Sequence, residues 1–191
     1  MQCLRMARLL NAGGLIAHHT GTLPGIASRP DRPDAIRRLR RFKQRSGPFL
    51  LLADSQTTAL GLCTRLPAGL RRHMRKLWPG PATFIVASAG AAAGGMSPAC
   101  FSGRNVAVRV DADAACRYLA GLCGGWLVSS SLNRRSDAAR QPHRGLRMRW
   151  HRHLSGSLNA VTGKSSASGS ASCLLKWQGS KLHVLRGALP A

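Results

Sequence analysis

Short apolar runs alternate along the chain with longer segments in which apolar residues recur every three or four positions. The runs at 49–53 and 106–110 have a length typical of buried strands. The segment 34–43 instead has the spacing of an amphipathic helix, with Ile36 and Leu39 on one face between arginines. The predicted strands cover residues 15–17, 49–53, 83–87, 106–110 and 126–130, and a closing hairpin pairs 174–177 with 182–185. The predicted helices cover residues 1–11, 34–43, 67–78 and 112–122.

Capping and helix-starting residues support these helix boundaries. Pro67 suits the first turn of a helix, because its missing N–H would have no partner there. Residues 18–33 are rich in Gly, Pro and Thr, so we expect a loop. The expected N-terminal capping residues are Asp34, Asp54 or Ser55, and Asp111 or Asp113.

The order of these elements predicts the fold class. Strands and helices mix without strict alternation, which favours a twisted, mixed open sheet over a doubly wound parallel one. We therefore expect one α/β domain over residues 1–191, with helices flanking the sheet and a concave basic cleft. Residues 1–12 would form an N-terminal helix, and the Ser/Gly-rich stretch 163–172 a flexible loop.

The charge balance narrows the classes of partner and chemistry. The 29 Lys and Arg residues outnumber six acids, all of them Asp, which gives a net charge of +23. Without any Glu, catalysis by paired carboxylates is disfavoured. The excess favours polyanions as partners, unless it is only a compositional bias on solvated faces. The segment 140–154, dense in Arg and His around Trp150, fits either an RNA-contacting surface or a solvated amphipathic helix.

Other classes lack their sequence signals. The six cysteines form no Cys-x-x-Cys pair, so we expect reduced thiols in a cytoplasmic protein and no metal site. No apolar run approaches the roughly 18–20 residues of a membrane span, so we expect no membrane partner. The chain also has neither a Walker phosphate loop nor a Gly-x-Ser-x-Gly nucleophile motif.

Three polar strings stand at the edges of apolar runs. Lys43 and Arg45 flank Gln44 at the end of a basic helix, where they suit either a phosphate or simply the helix dipole. Arg109 lies in an apolar strand, so it needs an anionic partner or an exposed face. The string 129–133, Ser-Ser-Ser-Leu-Asn, follows Leu-Val and suits either nucleotide binding or an ordinary turn.

The order and spacing of these strings resemble the YrdC/TsaC family of threonylcarbamoyl-AMP synthases. The likeness extends from about Gly14 to Gly187. Its motifs are His-His-Thr-Gly at 18–21 for the family's Tyr-Pro-Thr-Glu, Lys-x-Arg at 43–45, Pro-Gly-Pro-x-Thr at 79–83, Ala-Val-Arg at 107–109, Ser-Ser-Ser-Leu-Asn at 129–133 and Leu-Arg-Gly at 185–187.

The resemblance implies a function and a set of site residues. Family members join L-threonine, bicarbonate and ATP into threonylcarbamoyl-AMP, release diphosphate, and so supply the threonylcarbamoyl modification of tRNA. By this resemblance Thr20 and Arg109 would bind threonine, and Mg²⁺ would accompany ATP. Further partners would be tRNA or double-stranded RNA and the tRNA-modification proteins that receive the product. The implied ATP-binding residues are Lys43, Arg45, Asn105, Ser129, Ser131, Asn133 and Arg186.

Three departures from the family pattern keep a second hypothesis open. His19 and Gly21 stand where the opening motif has Pro and Glu, and Leu132 stands where the family has a small Ala. Gly21 would remove a carboxylate from the threonine pocket, and Leu132 would crowd the nucleotide. The alternative is a divergent member that binds RNA or nucleotide with weak or no catalysis.

Overall fold

One mixed β-sheet organises the protein. The computed structural model describes residues 1–44, 47–90, 95–133, 137–138, 140–158 and 168–190. Within these ranges the strands are β1 Ile16–His18, β2 Gly25–Ser28, β3 Leu50–Ala53, β4 Ala82–Ala87, β5 Phe101–Ser102, β6 Asn105–Val110, β7 Trp126–Ser131, β8 Gly156–Ser157, β9 Cys173–Gln178 and β10 Lys181–Arg186. The helices are α1 Gln2–Asn11, α2 Pro33–Lys43, α3 Gln56–Gly61, α4 Ala68–Leu77, α5 Ala114–Leu122 and α6 Arg144–Arg149.

The sheet follows the order β10-β9-β4-β6-β3-β7-β2-β1-β8, with β5 added beside β6. Strand β3 lies at its centre, parallel to β6 and antiparallel to β7. Parallel and antiparallel pairs therefore occur in one sheet, which confirms the predicted α/β class with a mixed open sheet. The hairpin of β9 and β10 is also confirmed, since the two strands pair antiparallel.

Helices cover both faces of the sheet because its strands present apolar residues in both directions. On β3, Leu51 packs in a cluster with residues of α2 and α4, whereas Leu52 packs in a second cluster with residues of α1 and α5. Both leucines are fully buried. Successive residues of a strand point to opposite faces, so this one pair divides the core into its two halves.

The expected loop over 18–33 is wrong in part. Residues 25–28 form β2, which pairs antiparallel with β1 on one side and β7 on the other. The sequence Gly-Ile-Ala-Ser has few strand-forming residues, so the tertiary pairing decides its conformation.

One capping prediction is corrected, and the other two are confirmed through one of their two alternatives. Helix α2 begins at Pro33 after Arg32, and Asp34 lies inside its first turn, where it forms an exposed ion pair with Arg37. Asp113 caps α5 by accepting from the Cys116 amide. Asp111, the other candidate for that cap, has a different role in the site below. Helix α3 has the expected cap, because Ser55 accepts from the Thr58 amide.

Residues 163–167 of the expected flexible loop lie outside the described ranges. Among the helices in the described part, none is both long enough and apolar enough to cross a membrane.

Candidate functional site

A cavity of about 290 Å³ opens on one face of the sheet. Helices α1 and α5 pack on the same face, at the other end of the strands. Strand β7 runs between the two regions. Leu127 packs in the cluster of α1 and α5, whereas Ser129 and Ser131 line the cavity. Strands β3, β4, β6, β7, β9 and β10 all contribute to the wall. The polar residues of the wall are Thr20, Thr22, Thr83, Arg109, residues 129–131, Ser172 and Arg186.

A second depression, of about 390 Å³, lies along α4 and is lined by Arg71, Arg72 and Arg75. Its described walls come from one helix and the loop before it. Polar groups from distant parts of the chain converge only on the first cavity of these two, which is the arrangement expected of a ligand site.

Arg109 lies on the wall although only 2% of its surface is exposed. Its Nη1 donates to Oγ1 of Thr22 at 2.7 Å, and its Nη2 lies 2.5 Å from Oδ2 of Asp111. The contact between Arg109 and Asp111 is close enough for an ion pair, but Oδ2 does not have the geometry of a hydrogen-bond acceptor there. Nε of Arg109 has no hydrogen-bond partner among the described residues. The guanidinium is therefore held on two nitrogens, and its third meets no described acceptor.

The loop after β1 carries the hydroxyls that face Arg109. Oγ1 of Thr20 donates to the Leu23 carbonyl at 2.8 Å, and it lies 3.1 Å from Oγ1 of Thr22. The Gly21 amide donates to Oδ1 of Asp111 at 2.6 Å. Hydrogen bonds within the loop and to Asp111 thus place both threonine side chains on the wall.

Ser129 is bound from behind the wall by His18. Nε2 of His18 lies 3.0 Å from Oγ of Ser129, and Nδ1 lies 3.8 Å from Sγ of Cys116. Burial lowers the pKa of His18 from its ordinary 6.5 to about 4. Burial also raises the pKa of the Cys116 thiol well above its ordinary value. Both side chains are therefore neutral near pH 7, and this interaction carries no net charge.

Lys43 is buried at the end of β7, next to the cavity. Its Nζ donates to the carbonyls of Ser131 and Asn133 at 2.7 and 2.6 Å and to Oδ1 of Asn133 at 2.9 Å. Oγ of Ser131 also donates to Oδ1 of Asn133, at 2.6 Å. Neither Lys43 nor Asn133 lines the cavity. The lysine instead stabilises the turn that follows Ser131, which does line it.

Arg186 reaches the wall from β10, at the opposite side. Its Nη2 donates to the Ser172 carbonyl at 3.1 Å. Oγ of Ser172 in turn lies 2.8 Å from Oγ1 of Thr83. A second cation and two hydroxyls therefore line the cavity at a distance from Arg109.

The structure brings together five of the nine expected site residues on this wall: Thr20, Arg109, Ser129, Ser131 and Arg186. Asn105 lies at the exposed start of β6 and does not line the cavity. Arg45 lies outside the described residues. The expectation of a basic cleft stays a prediction, because Asp111 offsets the charge of Arg109.

The expectation that Leu132 crowds the nucleotide is wrong. Its side chain is fully buried in the core cluster with α2 and α4, and it does not line the cavity. Leu132 directly follows the end of β7, and its side chain packs in the core and not beside Ser131 on the cavity wall.

Sequence reasoning missed several wall residues. Thr22, Thr83 and Ser172 line the cavity, and Asp111 supports it from below. One signal was present for Asp111, because it stands two residues after Arg109 and therefore shares its side of an extended chain. Ser172 carried a weaker signal, because the string Ser172–Leu174 resembles the family's Ser-Thr-Ile motif. Within the described residues, no cluster of three His, Cys or Asp side chains could hold a metal ion.

Comparisons with known proteins find similar sequences over most of the chain. A family model, Sua5/YciO/YrdC, described as "Telomere recombination", matches residues 8–188. The chain is 32% identical to the threonylcarbamoyl-AMP synthase of Nitrosococcus oceani, over 83% of this chain and 85% of that protein. It is 34% identical to the threonylcarbamoyl-AMP synthase of Halorhodospira halophila, over 72% of this chain and 70% of the relative.

A solved structure shares the fold. The crystal structure of P. abyssi Sua5 complexed with L-threonine superposes with a TM-score of 0.82 at 18% identity, over 96% of this chain. The matched region is 53% of the P. abyssi protein, so this chain spans about half of that relative's length.

Proposed function

The chain belongs to the Sua5/YciO/YrdC family, and we propose that it is a threonylcarbamoyl-AMP synthase. It joins L-threonine, bicarbonate and ATP and releases diphosphate. The identity to named synthases over most of both chains supports this assignment. The observation that carries it is the buried Arg109 on a wall of hydroxyls, because such a pocket suits a small hydroxylated amino acid.

The threonine half of the site is proposed at Arg109 and the loop after β1. Arg109 would pair with the threonine carboxylate, through donors that Thr22 and Asp111 leave available. Thr20 would contribute its hydroxyl beside it. The burial of Arg109 favours this pairing, since a carboxylate bound to a buried guanidinium is weakly screened by water.

The ATP half is proposed along the end of β7 and the β9–β10 side. Ser129 and Ser131 would contact the nucleotide through their hydroxyl groups, and Arg186 would neutralise part of its charge. Arg45 and Asn105 remain proposed ATP ligands from the family resemblance. Asn133 and Lys43 are proposed to stabilise the cavity wall, because the hydrogen bonds from Lys43 to Asn133 and to the Ser131 carbonyl fix the backbone at Ser131.

The proposed reaction has two steps. The threonine amine attacks bicarbonate and water leaves, which gives a carbamate. A carbamate oxygen then attacks the α-phosphorus of ATP, the bond to the β-phosphate oxygen breaks, and diphosphate departs. The side chains act by holding the two reactants in line and by offsetting negative charge as it builds on the leaving group.

The expected Mg²⁺ finds no carboxylate among the described residues that line the cavity. The wall therefore does not form a protein magnesium site of the usual kind, and the ion would arrive with the phosphates of ATP.

We further propose how the product is used and where RNA would contact the protein. The product would serve the threonylcarbamoyl modification of tRNA in the cytoplasm, through modification proteins that accept it. Contact with tRNA or double-stranded RNA would use the basic surface, of which Arg144, Arg147 and Arg149 on exposed parts of α6 are an example.

Release of diphosphate by the purified protein tests the proposal. We expect release that requires ATP, L-threonine and bicarbonate together, and we expect it to be lost in Arg109→Ala. Arg41→Ala is a suitable control, because Arg41 is exposed on α2 and does not line the cavity. Release that ignores threonine, or that survives Arg109→Ala unchanged, would contradict a synthase built on this cavity.

A further inference from the structure

Asp111 lies beneath the cavity and binds two parts of its wall at once. It is 1% exposed and does not itself line the cavity. Its Oδ2 lies 2.5 Å from Nη2 of Arg109, and its Oδ1 accepts from the Gly21 amide at 2.6 Å and from the Asp113 amide at 2.9 Å. One carboxylate thus links β6, the loop after β1 and the start of α5.

The Gly21 contact depends on the absence of a side chain. A Cβ at residue 21 would lie 3.1 Å from Oδ1 of Asp111 and 3.0 Å from Cβ of Ala112. The glycine therefore allows the loop backbone to approach the carboxylate closely. Thr20 and Thr22, the two wall residues of this loop, flank that anchored amide.

The Arg109 contact fixes the direction of a buried cation. Thr22 accepts from Nη1 and Asp111 faces Nη2, so the plane of the guanidinium is set by two partners on different elements. A buried guanidinium without a counter-ion is strongly unfavourable. The position of Arg109 on the wall therefore depends on Asp111.

We propose that Asp111 is a positioning residue for the amino-acid half of the site: it orients Arg109 and anchors the Thr20–Thr22 loop opposite it. The inference rests on the proposed function, because it assigns this half to threonine. Asp111 does not touch the substrate and acts through Arg109 and Gly21.

Asp111→Asn separates this role from general stability. The asparagine Oδ1 can still accept from the Gly21 and Asp113 amides, but its Nδ2 would face Nη2 of Arg109, donor against donor. We expect the KM for threonine to rise at least about tenfold, while the KM for ATP changes less than about twofold. The matched control is Asp113→Asn, which removes the same charge two residues away and keeps a good helix cap; we expect both KM values to stay at the wild-type level.

Equal rises in the two KM values of Asp111→Asn would overturn the proposal, since they would indicate only a structural role. The same threonine defect in Asp113→Asn would overturn it too, because the effect would then be one of charge and not of position.

Melting temperatures of Arg109→Gln, Asp111→Asn and the double variant test the pairing without any need for activity. We expect each single variant to melt lower and the double variant to lose less than the sum, because it leaves no unpaired buried charge. If Asp111→Asn fails to fold, the double variant must still recover a cooperative transition. Additive losses, or no recovery, would refute the coupling.

The kinetic and the thermal measurements distinguish a failure of the proposed function from a failure of the Asp111–Arg109 pairing. A wild-type protein that shows no threonine-dependent release of diphosphate would end the proposed function and the threonine role with it. The melting temperatures would still decide whether Asp111 and Arg109 act as one unit.

Discussion

His18 of β1 reaches across β2 to Ser129 of β7, with Nε2 and Oγ 3.0 Å apart. Both residues are buried, and the histidine lies behind the wall that Ser129 presents to the cavity. Gly25 is the β2 residue between them, and a Cβ there would lie 2.7 Å from Nε2 of His18 and 2.8 Å from Oγ of Ser129. A glycine in the middle strand therefore makes this cross-strand hydrogen bond possible.

Acid should destabilise the protein through His18. Its pKa is lowered to about 4 in the folded state, against 6.5 ordinarily, because burial penalises the charged form. Below pH 6.5 the unfolded chain binds a proton at this residue that the folded chain does not. Stability is therefore complete above pH 6.5 and falls as the pH drops toward 4, with a slope of up to about 1.4 kcal/mol per pH unit from this residue.

Urea unfolding at pH 7 and pH 5 measures this effect. In His18→Gln, the difference between the two pH values should shrink, since the titrating group is gone. The control is His151→Gln, at an exposed position of the chain, which should keep the wild-type difference. If His18→Gln kept it as well, the acid sensitivity would have to come from other residues.

Gly25→Ala should destabilise the protein and displace Ser129 on the cavity wall. The new methyl group overlaps both His18 and Ser129, and an overpacked site of this kind typically costs about 1–3 kcal/mol. We expect a lower melting temperature and a raised KM for ATP, because Ser129 is displaced. Gly61→Ala is the matched control, since a Cβ there would meet nothing within 4 Å. Equal stability of the two variants would show that the His18–Ser129 contact is not as tight as the geometry indicates.

The sequence predicted most of the sheet because its central strands are continuous apolar runs. The 49–53 and 106–110 runs became β3 and β6, and both are paired near the middle of the sheet. It did not predict β2, whose Gly25 is selected by the space between two neighbours and not by strand propensity. A residue whose role is to leave room has no pattern of its own in a single sequence.

The candidate site, too, was predictable from the sequence only in part. Arg109 was predictable as a cation that needs either an anionic partner or an exposed face, because it interrupts an apolar strand. That its partner within the chain is Asp111 follows from three-dimensional contacts, since Asp111 itself was predicted only as a possible helix cap. Lys43 shows the reverse case: the expected phosphate-binding cation is held by carbonyls at the end of β7.

Lys43→Met should lower stability and weaken ATP binding together. The substitution keeps the aliphatic volume but leaves the carbonyls of Ser131 and Asn133 without their donor. Hydrogen bonds to a charged group contribute about 1.5–3 kcal/mol each, so we expect a loss of at least about 2 kcal/mol in the free energy of unfolding. The KM for ATP should rise because the backbone at Ser131 is released.

Chemical denaturation and the two KM values decide the outcome for Lys43. Arg41→Met removes an exposed cation from the same helix and should change neither quantity by much. A Lys43→Met protein of wild-type stability with a raised KM for ATP would instead assign Lys43 to the phosphates directly.

Leu132→Ala tests whether the larger residue belongs to the core or to the site. Leu132 is fully buried in the cluster with α2 and α4, so its truncation should leave a cavity and cost about 2–5 kcal/mol. The KM values should stay near wild type at a temperature where the variant is folded, because the side chain does not line the cavity. Leu189→Ala, at an exposed position, makes the same truncation and should have little effect on stability. A Leu132→Ala protein that binds ATP more tightly at unchanged stability would show that the leucine restricts the nucleotide after all.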